Sequence, residues 1–187
     1  MSLQNVNTTA SESKESSPEN RSDSVRFFSR LHVRDAQGNF VMATADQILT
    51  EAARAIDFRY PTGTFFESAA VSVGFFRAKL AGHEREVFGV AFLNNQHQLL
   101  AYEELFAGSI TSTHIYPGEV ARAALRHNAA AVIVSHNHPS FSTEPSRADA
   151  QITVRLKKAL ELIDVRLIDH IVVAGNDAIS MAERGMV

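Results

Sequence analysis

The sequence predicts an α/β or α+β sandwich, a central mixed β-sheet flanked by helices. Three observations carry this. EVFGVAFLNN (86–95), AAAVIVSH (129–136) and VRLIDHIVVAG (165–175) are short apolar runs of strand length. Between them lie PGEVARAALRHN (117–128) and SRADAQITVRLKKALELI (146–163), whose apolar residues recur at helical spacing. No segment repeats, so strands interleaved with helices must pack as layers around one core.

Taken in order, residues 1–24 are rich in Ser, Glu, Asn and Thr and nearly lack large apolar side chains. Such a segment buries too little surface to offset the entropy of ordering, so a disordered tail is expected. Residues 25–66 are expected to form an N-terminal arm and helix. In RFFSRLHVRDAQGNFVM (26–42) a short strand pair is expected around Ala36-Gln37-Gly38, or an arm packed on the domain. In ATADQILTEAARAID (43–57), Ile48, Leu49, Ala52 and Ile56 predict an amphipathic helix. The main domain is expected over 67–187. It opens with a second helix (68–81) and the strand from Glu86, then a hairpin turn at NNQHQ into LLAYEELFAG (99–108). SITSTHI (109–115) reads as a further strand. Pro117 suits a first helical position and Asn128 a stop. After the last apolar strand, Asn176-Asp177 leads into a short tail.

The 187 residues are 45% hydrophobic and 21% charged, with a net charge of −3. That is the composition of a soluble globular chain and gives no broad basic surface for nucleic acid. There are no cysteines, so disulfides and thiolate metal sites are excluded and any metal must sit on His, Asp or Glu. The N-terminal residues lack the basic-then-apolar pattern of a signal peptide, and no run approaches the roughly 18 apolar residues of a membrane span. A cytoplasmic location is the expectation, with no membrane partner.

Chemistry concentrates in SHNHPSFSTEPSRAD (135–149). Side chains alternate along a strand, so His136 and His138 point the same way at a strand end. With 8 histidines in the chain, such a pair alone does not establish a metal site. Ser146 and Asp149 have the spacing of a helix capping box, which explains both without chemistry. Asp149, however, lies in line with Ile152, Leu156, Ala159, Leu160 and Ile163. A carboxylate on a buried stripe needs a partner, and a metal held by the preceding loop would be one. Two imidazoles and one carboxylate leave a fourth tetrahedral position for water, the composition of a catalytic zinc site. Such a site needs a general base. Glu86 is a candidate at the edge of its strand, but spacing does not separate it from Glu84, Glu103 or Glu104.

The pattern His136-x-His138, seven residues, Ser146-x-x-Asp149 resembles the JAMM motif of the JAB1/MPN/Mov34 metalloprotease superfamily. Over about 68–185 the chain is most similar to its RadC-like branch, through EREVFGVAFLNNQHQLLAYEELFAGSI, HIYPGEVARAALRHNAAAVIVSHNHPS, PSRAD and DHIVVAGNDAISMAERG. The resemblance implies a cytidine-deaminase-like JAB/MPN fold, with Zn²⁺ on His136, His138 and Asp149. It implies Glu86 as general base and Ser146 as hydrogen-bond donor to the oxyanion. The implied reaction is hydrolysis of a peptide or isopeptide bond in an unknown peptide or protein substrate. A DNA repair or recombination accessory and a non-catalytic MPN interaction module are the alternatives. Acidic charge and the lack of a recognisable helix-hairpin-helix region speak against DNA association, and the full ligand set speaks against the module. In one place the chain departs from the pattern: the family loop reads HNHPSG, and here Phe141 replaces the glycine, which is expected to alter access to the metal or the loop backbone. The remaining histidines read as structural, His170 as a satisfied residue inside the last apolar strand. The pairs Phe27-Phe28, Phe65-Phe66 and Phe75-Phe76 read as packing, since no basic cluster surrounds them.

Overall fold

The computed structural model describes residues 29–108 and 114–187. The expected tail (1–24), Phe27-Phe28 and most of the expected strand at 109–115 lie outside them; His114 and Ile115 are not in a strand. The chain divides into two units, Met1–Met42 and Ala43–Val187. The described part of the first is an antiparallel pair, β1 (His32–Arg34) and β2 (Phe40–Met42). Its turn is built by the Asp35 side chain, which accepts hydrogen bonds from the amides of Gln37 and Asn39, and by Gly38 at φ 87°.

In the second unit, α1 (Ala45–Arg59) starts at a Thr44–Gln47 capping box, and α2 (Ala69–Leu80) starts at Ser68. The sheet contains β3 (Val87–Leu93), β4 (Leu99–Ala107), β5 (Ala131–Asn137), β6 (Arg166–Ala174) and β7 (Asp177–Ser180), in spatial order β4-β3-β5-β6-β7. Only β5 and β6 run parallel; the other neighbours are antiparallel. The mixed sheet is thus as expected, with one correction. The residues after Asn176 are not simply a tail but form a fifth strand on the edge of β6.

Two helices cover one face of the sheet. α3 (Pro117–Arg126) begins at Pro117 and ends before Asn128, whose φ of 50° takes the chain out of the helix. α4 (Arg147–Glu161) makes the crossover from β5 to β6. Their Val120, Ala124, Ile152, Leu156 and Leu160 pack on Phe88, Val90, Phe92, Val132 and Val134. On the opposite face Phe75, Phe76 and Leu80 of α2 pack on Ala91, Leu93, Ile133, Ile171 and Val173. Both faces being covered, every residue of β3 and β5 is buried, which is why these strands read as continuous apolar runs. Phe66, Phe75 and Phe76 serve packing, as expected, with edge-to-face contacts among them; Phe65 is 48% exposed. Among the described residues no helix is long and apolar enough to cross a membrane.

Candidate metal centre

The site forms where β5 ends and α4 begins. Period-2 alternation sends Val132, Val134 and His136 to the face covered by α3 and α4 and sends Ile133 to the α2 face. His138 follows two residues after His136, its amide still bonded to the Val173 carbonyl of β6 at 2.7 Å. The loop then turns back, and Ser146 caps α4. Its Oγ accepts from the Asp149 amide at 3.1 Å, and Asp149 Oδ2 accepts from the Ser146 amide at 2.6 Å. The capping box therefore fixes the rotamer that aims the Asp149 carboxylate at the strand end.

The ligand atoms converge. His136 Nε2 and His138 Nε2 lie 2.9 Å apart. Asp149 Oδ1 is 3.1 Å from the first and Oδ2 is 3.4 Å from the second. Metal–ligand bonds of about 2.0–2.1 Å in a tetrahedral site place neighbouring donors about 3.3 Å apart, so the three side chains are spaced to hold one ion. The donor chemistry agrees. His138 Nδ1 lies 2.7 Å from the Ser142 carbonyl, which can only accept, so Nδ1 carries a proton and the neutral ring has its lone pair on Nε2. These residues are a group able to hold a metal ion.

Electrostatics reflect the same convergence. Burial by itself raises the Asp149 carboxyl, but the His136 and His138 imidazoles set against it outweigh that effect and hold the group far below the usual carboxylate range. His138 is shifted up, chiefly by its hydrogen bond to Asp149, against the opposing effect of burial. Glu86 adds to that upward shift through its charge, and so lies within electrostatic reach of the site.

Glu86, Ser146, His138 and Asp149 line one cavity of about 390 Å³, together with His114, Ile115, Gln151 and Arg155. The other glutamates of the sequence comparison are engaged elsewhere. Glu103 binds His127 and Arg126, each at 2.6 Å, and Glu104 pairs with His83 at 3.4 Å. Glu84 lines a neighbouring cleft with His83 and Phe141. The cap uses a lone pair of Ser146 Oγ and leaves its hydroxyl proton unspent, so capping and donation into the cavity are compatible.

Two residues join the site that spacing did not select. Asn137 sits between the two histidines, faces the other way and is buried. Its Oδ1 accepts from the Val87 amide at 2.7 Å, and its Nδ2 donates to the carbonyls of Arg85 at 2.9 Å and His83 at 3.3 Å. It thereby grips the backbone on both sides of Glu86. His170, expected to be structural and satisfied, is satisfied by a candidate ligand: its Nε2 lies 2.8 Å from His136 Nδ1, and its Nδ1 lies 2.6 Å from Thr153 Oγ1. Burial pushes the His170 imidazole well below its ordinary value, so it is neutral. A polar residue in an apolar strand next to HxH is the only local signal for His170, and pairing across 34 residues is invisible to spacing.

Phe141 takes φ 60°, the left-handed conformation in which glycine carries no penalty. That is the physical reason for glycine at this place in the resembling loop. Its ring is 76% exposed and lies over Gly175, where an added Cβ would come within 2.8 Å of it.

A mixed sheet with a His-His-Asp cluster at a strand end and helix start defines a JAB-type α+β domain. The comparisons agree. The RadC-like JAB domain matches residues 66–186, and the chain belongs to that family. Its relatives include a UPF0758 protein of Vibrio cholerae, 50% identical over 139 residues, covering 74% of this chain and 87% of the relative. The UPF0758 protein YfjY of Escherichia coli K12 is 51% identical over 125 residues, covering 67% of this chain and 78% of the relative. A UPF0758 protein of Cellvibrio japonicus is 50% identical over 138 residues, and there the matched stretch is 62% of the relative's length.

Proposed function

We propose that the chain is a zinc-dependent hydrolase, a metallopeptidase or isopeptidase that cleaves an amide bond in a peptide or protein substrate in the cytoplasm. One observation carries the reading: His136 Nε2, His138 Nε2 and the Asp149 carboxylate converge on one point, and two of the three, His138 and Asp149, line a cavity together with Glu86 and Ser146.

Zinc at this point would supply a Lewis acid that lowers the pKa of water from about 15.7 toward 7. His136, His138 and Asp149 would hold the ion beside the cavity. Glu86 accepts a proton from the attacking water as its oxygen bonds to the substrate carbonyl carbon. Glu86 then returns that proton to the nitrogen as the C–N bond breaks, so the amine leaves neutral. The Ser146 hydroxyl donates to the oxygen that gains charge, a contact whose loss costs about 2.7–4 kcal/mol of barrier in comparable sites. Asn137 holds Glu86 in reach by fixing the backbone beside it.

Elemental analysis of the purified protein tests the reading. The expected content is about one zinc per chain, lost in His136→Ala. Protein that takes up no zinc when zinc is offered refutes it. Cleavage of fluorogenic peptide and isopeptide substrates, lost by at least about 100-fold in Glu86→Gln with zinc retained, tests the base.

A further inference from the structure

Thr153 lies one turn after Asp149 on α4, and its hydroxyl is 2.6 Å from the Asp149 backbone carbonyl. Two oxygens at that distance repel unless a proton lies between them, and the carbonyl has none, so Thr153 donates there. The hydroxyl has a single proton. Thr153 Oγ1 therefore meets His170 Nδ1, 2.6 Å away, as an acceptor, and His170 carries its proton on Nδ1. His170 is wholly buried and its two ring nitrogens meet a hydroxyl and an imidazole, with no carboxylate on either, so the ring holds one proton and its bare Nε2 accepts from His136 Nδ1 at 2.8 Å. His136 in turn carries its proton on Nδ1, and its Nε2 lone pair faces His138 and Asp149.

We propose that Thr153 and His170 are positioning residues that select the tautomer of His136, so that β5 presents a metal-binding lone pair instead of an N–H. The chain of donors begins on the ring of one candidate ligand, His136, and ends at the backbone carbonyl of another, Asp149. It therefore couples the first turn of α4 to the end of β5 through β6. Both residues are fully or almost fully buried, His170 at 0% and Thr153 at 1% exposure. Apolar side chains would fill this space at no polar desolvation cost, which points to a role beyond packing. The inference rests on the metal reading above, but the tautomer it specifies belongs to the metal-free protein.

Two measurements separate the inference from that reading. Long-range ¹H–¹⁵N spectra of the metal-free wild-type protein report which ring nitrogens carry protons. The expected pattern for His170 is protonated Nδ1 and bare Nε2; a proton on Nε2 overturns the relay, whatever the protein binds. Zinc affinity, measured by competition with a chelator, is the second. Thr153→Val keeps the volume but leaves the His170 Nδ1 proton without an acceptor. It is expected to weaken zinc binding about 10–100-fold, and Thr153→Ser to restore it. Equal zinc affinity in folded Thr153→Val and wild type overturns the inference while sparing the metal reading. Wild-type protein that binds no zinc overturns the metal reading, and the nitrogen spectra then decide the tautomer alone.

Discussion

Replacing Asn137 with Ala removes the clamp on the strand that follows Glu86. The side chain makes three buried or part-buried hydrogen bonds, to the Val87 amide and the carbonyls of Arg85 and His83. At a net contribution of about 1 kcal/mol each, their loss costs about 3 kcal/mol. The Val87 amide is left buried without this acceptor, which works in the same direction. For a domain of this size 1 kcal/mol moves the melting temperature by about 2–4 °C, so a fall of roughly 10 °C is expected. Urea unfolding should show the same loss as a shift in midpoint at unchanged slope. His136 and His138 keep their places at the end of β5, so zinc content should persist while amide hydrolysis falls, because only Glu86 has lost its support. A variant that melts within about 2 °C of wild type would refute the clamp, since even one net hydrogen bond is worth that much. A variant that melts early but hydrolyses normally would refute the link to Glu86.

Three further outcomes are expected. Phe141→Gly removes a left-handed non-glycine residue, worth roughly 1–2 kcal/mol, at the loss of an exposed ring contact with Gly175; thermal unfolding should show a small gain in stability, and a loss would contradict the strain. The raised His138 pKa has opposite consequences for the metal-free and metal-bound protein. Without metal, the His138–Asp149 pair contributes stability that is fully present below the ordinary histidine value near 6.5 and is lost as pH rises through the raised value. Asp149, shifted down, contributes above the ordinary carboxylate range and yields only in strong acid. A proton on His138 excludes zinc, so zinc affinity measured across about pH 5–8 should climb with pH, and a flat profile would contradict this. Ser180→Ala removes a hydrogen bond of 2.6 Å to the buried Asp169 carboxylate that holds β7 beside β6; urea unfolding should show a loss of about 1.5–3 kcal/mol.

Much of the fold was legible because its elements are locally consistent. The strands β3 and β5 are buried on both faces and so carry the apolar runs VFGVAFL and AVIV, and α3 and α4 bear capping and start signals at Pro117 and Ser146. β7 was not legible: Asp177–Ser180 is short and only partly apolar, and it is a strand because the edge of β6 offers it hydrogen bonds. Phe141 was visible as a departure, but its cost became apparent only from its backbone angle.

The sequence alone determined the candidate ligands. His136, His138, Ser146 and Asp149 lie within one strand end, one loop and one helix start, where strand alternation and the capping box act over a few residues. Local spacing did not separate Glu86 from the other glutamates; the family resemblance singled it out, and the tertiary structure puts it on the cavity wall and adds His170 beside His136. Glu103 and Glu104 are drawn to His127, Arg126 and His83, and Glu86 is left lining the cavity. His170 reaches His136 because β5 and β6 pair in parallel, and Thr153 reaches His170 because α4 packs back across that pair. Such contacts depend on register and packing between segments far apart in the chain, and local spacing holds no record of them.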